Sequence, residues 1–182
     1  MDYFTLGKII LATPWLVYLS VSDIRRRSLP NRWVYGGMLV MLAAALGVSW
    51  QYALASVTIG FLCALFLFLP YLVRAAGAGD VKMLFAAGMI AGPGNVLNLI
   101  LLISIAGLCL ALAMLGMRQV DTARLKHYWH CLVDVRYDRA AGRQALPPIE
   151  SETCRVPFGV AIAAGLFLNL FIQLIFTWGG AQ

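Results

Sequence analysis

Asp23, in "SVSDIRRRSLPN" (20–31), and Asp80, in "RAAGAGDVKMLF" (74–85), are with Asp2 the only acidic residues outside the stretch 118–155. Two carboxylates held a few ångströms apart resist ionising together, so one keeps a proton while the other is charged. Such a pair can hydrolyse a peptide: the ionised member takes a proton from water, and the protonated member donates a hydrogen bond to the developing oxyanion. The plainer alternative pairs Asp23 with Arg25 to Arg27 and Asp80 with Lys82, as interfacial charges reaching water. Gly77 and Gly79, flanking Ala78 just before Asp80, favour the chemical reading, because glycine permits unusual backbone conformations and close approach.

The elements that must carry these aspartates are apolar. Of 182 residues, 62% are hydrophobic and 12% charged, and the mean hydropathy is +0.82. That composition implies an integral membrane protein rather than a soluble domain. The net charge of +6 does not point to nucleic acid, because no binding motif accompanies it and the basic residues fall between apolar runs. Six spans are expected, near 6–22, 33–50, 53–73, 81–91, 96–117 and 156–178. Residues 83–117 carry no formal charge, and as one helix they would reach about 52 Å, well beyond a ~30 Å hydrocarbon core. Gly92-Pro93-Gly94-Asn95 divides the run into a short fourth span and a long fifth. The expected fold is therefore all-α, a polytopic bundle whose fourth helix is short and opened by the Gly-x-Gly-Asp loop.

Every Lys and Arg except Lys8 lies in one of three places: Arg25, Arg26, Arg27 and Arg32; Arg74 and Lys82; and 118–155. These follow spans one, three and five, so they share a face, which the positive-inside rule makes cytoplasmic. Both termini are then external. Asp23 closes the first span and Asp80 opens the fourth, so both belong to the cytoplasmic face. The helix dipole favours charge on Asp80, at a helix N-terminus, over Asp23, at a C-terminus. Chain 1–182 is expected to be a single domain with 118–155 as its cytoplasmic loop, in which "RLKHYWHCLVDVRYDR" has amphipathic character.

Three motifs in this order resemble the type IV prepilin peptidases. "SDIRRRSLPNRW" is similar to their first-aspartate motif, an aspartate followed several residues later by Pro-Asn. "GAGDVKMLFAAG" resembles their GxGD motif with a lysine two residues on, and "RVPFGVAIAAG" the Pro-Phe-Gly entry to their last helix. The resemblance implies a bacterial inner-membrane aspartic endopeptidase that cleaves the basic leader of prepilins or pseudopilins at the cytoplasmic face, with no cofactor or metal. It carries Asp23 and Asp80 over as the catalytic pair. Gly77, Gly79, Lys82, Pro30, Asn31, Pro157, Phe158 and Gly159 would shape the site or position substrate. Larger relatives insert a domain with paired CxxC motifs and methylate the new N-terminus. This chain has no CxxC, and its compact form is similar to the peptidases of tight-adherence (Flp) pili.

A basic leader meeting an arginine-rich face needs acids or anionic lipid as intermediaries, and Asp121, Asp134, Asp138, Glu150 and Glu152 are the acids at hand. His127, His130, Cys131 and Cys154 match no zinc spacing. Gly60, Gly107 and Gly165 suit close helix contacts, Asn169 and Gln173 share a helical face, and Trp33, Trp50 and Trp178 suit interfacial anchoring. Two other functions stand beside the peptidase: a non-catalytic relative in pilus or secretion assembly, and a small proton-coupled transporter using the aspartates as a relay.

Overall fold

The computed structural model describes residues 3–26, 29–72, 76–94, 96–117 and 157–179. Among them are six helices and no strand: α1 (Tyr3–Arg26), α2 (Asn31–Val48), α3 (Trp50–Leu72), α4 (Ala78–Ala91), α5 (Val96–Gly116) and α6 (Phe158–Gly179). Five are long and apolar enough to cross a membrane, and α4 is not. The protein is an all-helical, polytopic membrane bundle. It forms two compact units, Met1–Leu108 with Pro157–Gln182, and Cys109–Val156. Only 109–117 of the second unit are described, and they are the end of α5 and the residue after it. The acids, histidines and Cys131 and Cys154 of the 118–155 stretch, with its amphipathic segment, lie outside the described residues.

The break after Ala91 falls at the expected place. Gly92 and Gly94 adopt φ of 77° and 107°, the left-handed region in which a side chain is strained, and Pro93 between them cannot continue the helix. α1, α2 and α4 run further into their charged ends than hydropathy suggests. α1 continues to Arg26, which places Asp23 inside its last turn rather than beyond it.

α4 is the buried centre. From Met83 to Ala91 all but Phe85 is buried, so the helix is apolar on every side. α3, α6 and α2 pack on it, α3 most extensively. The α3 face is Ala53, Ser56, Gly60, Cys63 and Leu67, a repeat of three and four residues dominated by small side chains. A Cβ on Gly88 would stand 2.8 Å from Gly60 Cα and 2.9 Å from Cys63 Sγ, and one on Gly60 would stand 2.7 Å from the Phe85 carbonyl oxygen. The two backbones touch, and no side chain fits between them. Gly88→Val should therefore destabilise the protein by about 1–3 kcal/mol by forcing α3 and α4 apart, read as a lowered unfolding midpoint in micelles. α5 meets α6 in the same way, since a Cβ on Gly165 would stand 2.7 Å from Ile103 Cα.

The helices alternate in direction, as cross-bundle contacts at each end show. At one end Gly159 N–H at the start of α6 donates to Asp23 at the end of α1 (2.9 Å), and Lys82 at the start of α4 donates to Asn31 Oδ1 at the start of α2 (3.1 Å). At the other, Lys8 Nζ of α1 donates to Tyr52 Oη of α3 (2.6 Å), and Gln173 Nε2 of α6 donates to Ala91 O of α4 (3.4 Å). Gln173 also donates to Asn169 Oδ1 within α6 (2.8 Å), so of the two residues on that face it is Gln173 that reaches across the bundle among the described residues.

Candidate active site

Asp23 is only 4% exposed. Its Oδ2 accepts the N–H of Gly159, in the first turn of α6, where backbone donors lack intrahelical partners. Each residue of the Pro157-Phe158-Gly159 run has a local reason to be there. Pro157 precedes the helix, and its carbonyl accepts the Val160 N–H (3.1 Å). The Phe158 ring lies on Gly107 of α5, where a Cβ would stand 2.8 Å from Phe158 Cε2. Gly159 admits the carboxylate, for a Cβ there would stand 2.7 Å from Asp23 Oδ2.

Asp80 is the third residue of α4, after the cap residue Gly77. Its N–H donates to Gly77 O (3.1 Å), and its Oδ2 accepts Gly77 N–H (3.1 Å), which holds the carboxylate back over the helix start. Gly77 has φ −83°, which any residue can adopt. The glycines of the Gly-x-Gly-Asp motif are therefore needed for space, not for backbone conformation. A Cβ on Gly77 would stand 3.2 Å from Asp80 Oδ2, and one on Gly79 would stand 3.2 Å from Leu29 Cβ.

Leu29 joins the two halves. The same side chain that faces Gly79 beside Asp80 places its Cδ2 3.3 Å from the Cβ position of Gly159, the residue bonded to Asp23. It packs partly buried against the core. Sequence reasoning missed it. Its signal was a lone apolar residue in a link of four between α1 and α2, too short to carry it clear of the helix ends.

Pro30 and Asn31 open α2: the Pro30 carbonyl accepts the N–H of Trp33 (3.0 Å) and of Val34 (3.3 Å). Trp15 Nε1 donates to Trp33 O (2.7 Å) and the Tyr18 and Trp33 rings lie 4.5 Å apart, which seats this turn on α1. Lys82 turns from its neighbour Asp80 toward α2. Besides its bond to Asn31, its Nζ lies 5.3 Å from the centroid of the Tyr35 ring. The plain interfacial pairing thus gives way to a network: the structure gathers Asp23, Pro30, Asn31, Gly77, Gly79, Asp80, Lys82, Pro157, Phe158 and Gly159 at one end of the bundle. Among the described residues no group of three or more His, Cys, Asp or Glu side chains gathers to hold a metal.

A family model described as the type IV leader peptidase family matches residues 10–112. The chain belongs to the type IV leader peptidase family. Its general role is that of a prepilin leader peptidase of the membrane. The matched region runs from α1 into α5 and holds both aspartates, Pro30, Asn31 and the Gly77–Lys82 motif. Pro157, Phe158 and Gly159 lie beyond the match, and the bond from Gly159 ties them to Asp23. No curated protein and no solved structure matches the chain.

Proposed function

We propose that this leader peptidase is an aspartic endopeptidase whose working groups are Asp23 and Asp80. The observation that carries the reading is Leu29, one side chain against both Gly79 and Gly159, which brings the segments holding the two carboxylates to a common point. One carboxylate accepts a proton from water as its oxygen adds to the scissile carbonyl. The other, protonated, hydrogen-bonds the oxyanion and then supplies a proton to the leaving amine as the C–N bond breaks. The two roles are not ranked by the helix dipole, because Asp23, although it ends α1, also lies at the N-terminus of α6. Gly77, Gly79 and Gly159 leave room for the carboxylates and Leu29, while Lys82 and Asn31 hold the first turns of α4 and α2 together.

The substrate in this reading is the basic leader of a type IV or Flp-type prepilin or pseudopilin. Arg25, Arg26, Arg32 and Lys82 share the end of the bundle that holds the aspartates, which supports a cytoplasmic site in an inner-membrane protein with external termini. Anionic lipid drawn to these residues would accommodate the leader's charge. The whole chain acts as one peptidase domain with 118–155 as its cytoplasmic loop. No observation favours the assembly role or the proton relay, and among the described residues the acidic ones, Asp23 and Asp80, lie at the same end of the bundle.

The test is processing in proteoliposomes with a prepilin carrying an intact leader, followed by mass spectrometry. A single cut that releases the leader, persisting in EDTA and after thiol and serine-hydroxyl reagents, is the expected result. Loss of cleavage to the chelator would reject the metal-free mechanism.

A further inference from the structure

Lys8 is the one basic residue outside the three basic places in the sequence, and it lies at the end of the bundle away from the aspartates. A lone cation on that side runs against the charge bias of the chain. Its surroundings show what it does. Besides donating to Tyr52 Oη at 2.6 Å, its Nζ stands 5.3 Å from the Tyr52 ring centroid. Both groups cover the end of α4: a Cβ on Gly92 would meet Tyr52 Oη at 2.5 Å and Lys8 Nζ at 3.2 Å. Gln173 Nε2 donates to the Ala91 carbonyl beside them.

The end of α4 needs such cover. The helix has 14 residues and at ~1.5 Å each is about 21 Å long, short of a ~30 Å hydrocarbon core. Its last carbonyls have no intrahelical partners and carry the negative end of the helix dipole. Three helices, α1, α3 and α6, send Lys8, Tyr52 and Gln173 to that one point.

The consequence reaches the other end. α1 carries Lys8 near its start and Asp23 in its last turn, while α4 carries Asp80 in its first turn and Ala91 at its end. The two helices run antiparallel and are linked at one end through Lys8 and Gly92, and at the other through Leu29 and the glycines beside the aspartates. We propose that Lys8, with Tyr52, is a positioning residue for the peptidase: it fixes the axial register of α4 against α1 and so sets the depth of Asp80 relative to Asp23. This rests on the two-aspartate reading above.

The experiment compares Lys8→Met, Lys8→Arg and Tyr52→Phe in the full chain, by prepilin processing kinetics and by amide hydrogen exchange. Lys8→Met should lower kcat at least fivefold with KM within twofold, and Lys8→Arg should keep kcat within twofold of the parent. In Lys8→Met, exchange should accelerate at least fivefold at Gly77–Val81, at the far end of α4, as well as at its C-terminus. If Lys8→Met does not fold, Tyr52→Phe, which removes only the hydroxyl, should show the same pattern at two- to fivefold. Exchange altered only around 88–94, or a kcat within twofold of the parent, would overturn the proposal. Failure of the underlying reading has a different signature, prepilin processing that persists in Asp80→Asn with Lys8 intact.

Discussion

Asp23→Asn and Asp80→Asn should each lower the rate of leader removal by two to four orders of magnitude, the range for loss of a positioned general acid or base, while the protein stays folded. Asparagine is the informative replacement, because both carboxylates also do structural work. Asp23 Oδ2 accepts Gly159 N–H and Asp80 Oδ2 accepts Gly77 N–H, and an asparagine carbonyl can accept the same bond. Alanine at position 23 would strand the Gly159 donor at a buried site, which costs roughly 1–3 kcal/mol and mixes a folding defect with a catalytic one. The double variant should be little worse than the poorer single one, since groups that act as a unit are not additive. The measurement is single-turnover processing in liposomes, with thermal unfolding run on the same samples. Wild-type processing in both single variants would sink the aspartic assignment.

Gly159→Ala should impair catalysis by crowding the Asp23 carboxyl instead of removing it. The added methyl would stand 2.7 Å from Asp23 Oδ2, 3.1 Å from its Cγ and 3.3 Å from Leu29 Cδ2. The short side chain of Asp23 has to swing aside, which breaks its bond to Gly159 N–H and pushes on the residue that links the two aspartate segments. A displacement of about 1 Å at a reacting group can cost on the order of a hundredfold in rate, and that is the expected loss. Stability should fall by roughly 1–3 kcal/mol, the cost of leaving the buried Gly159 donor without its acceptor, which the helix preference of alanine over glycine, about 0.8–1 kcal/mol, offsets only in part. Gly47→Ala, where nothing lies within 4 Å of the added carbon, is the control and should process prepilin at the parent rate. A Gly159→Ala enzyme with parent kinetics would mean that Asp23 is free to move without consequence.

Much of this protein was legible in its sequence wherever the signal was local. The four residues Gly92 to Asn95 marked the break between α4 and α5, because two of them take positive φ and a third is proline. Charge counted link by link predicted the alternation that Lys8–Tyr52 at one end and Lys82–Asn31 at the other now display. Pro157, Phe158 and Gly159 were marked as a unit, and all three contribute to the start of α6. The reason for the glycines before Asp80 was only half legible. Gly77 has an ordinary φ, so the requirement is for room.

By itself, then, the sequence determined the number and order of the described helices, the shortness of α4 and the two aspartates at one end, because hydropathy, turn chemistry and charge bias act over neighbouring residues. Which helix faces touch was decided by the tertiary structure alone. In a bundle whose surroundings are as apolar as its core, no amphipathic stripe marks the buried face, and helices associate through small residues and a few polar contacts. The bond from Gly159 to Asp23, the wedge of Leu29 between Gly79 and Gly159, and the cover of Lys8 and Tyr52 over Gly92 each join residues on different helices. Nothing in the local pattern pairs them, and the close approach of the backbones does.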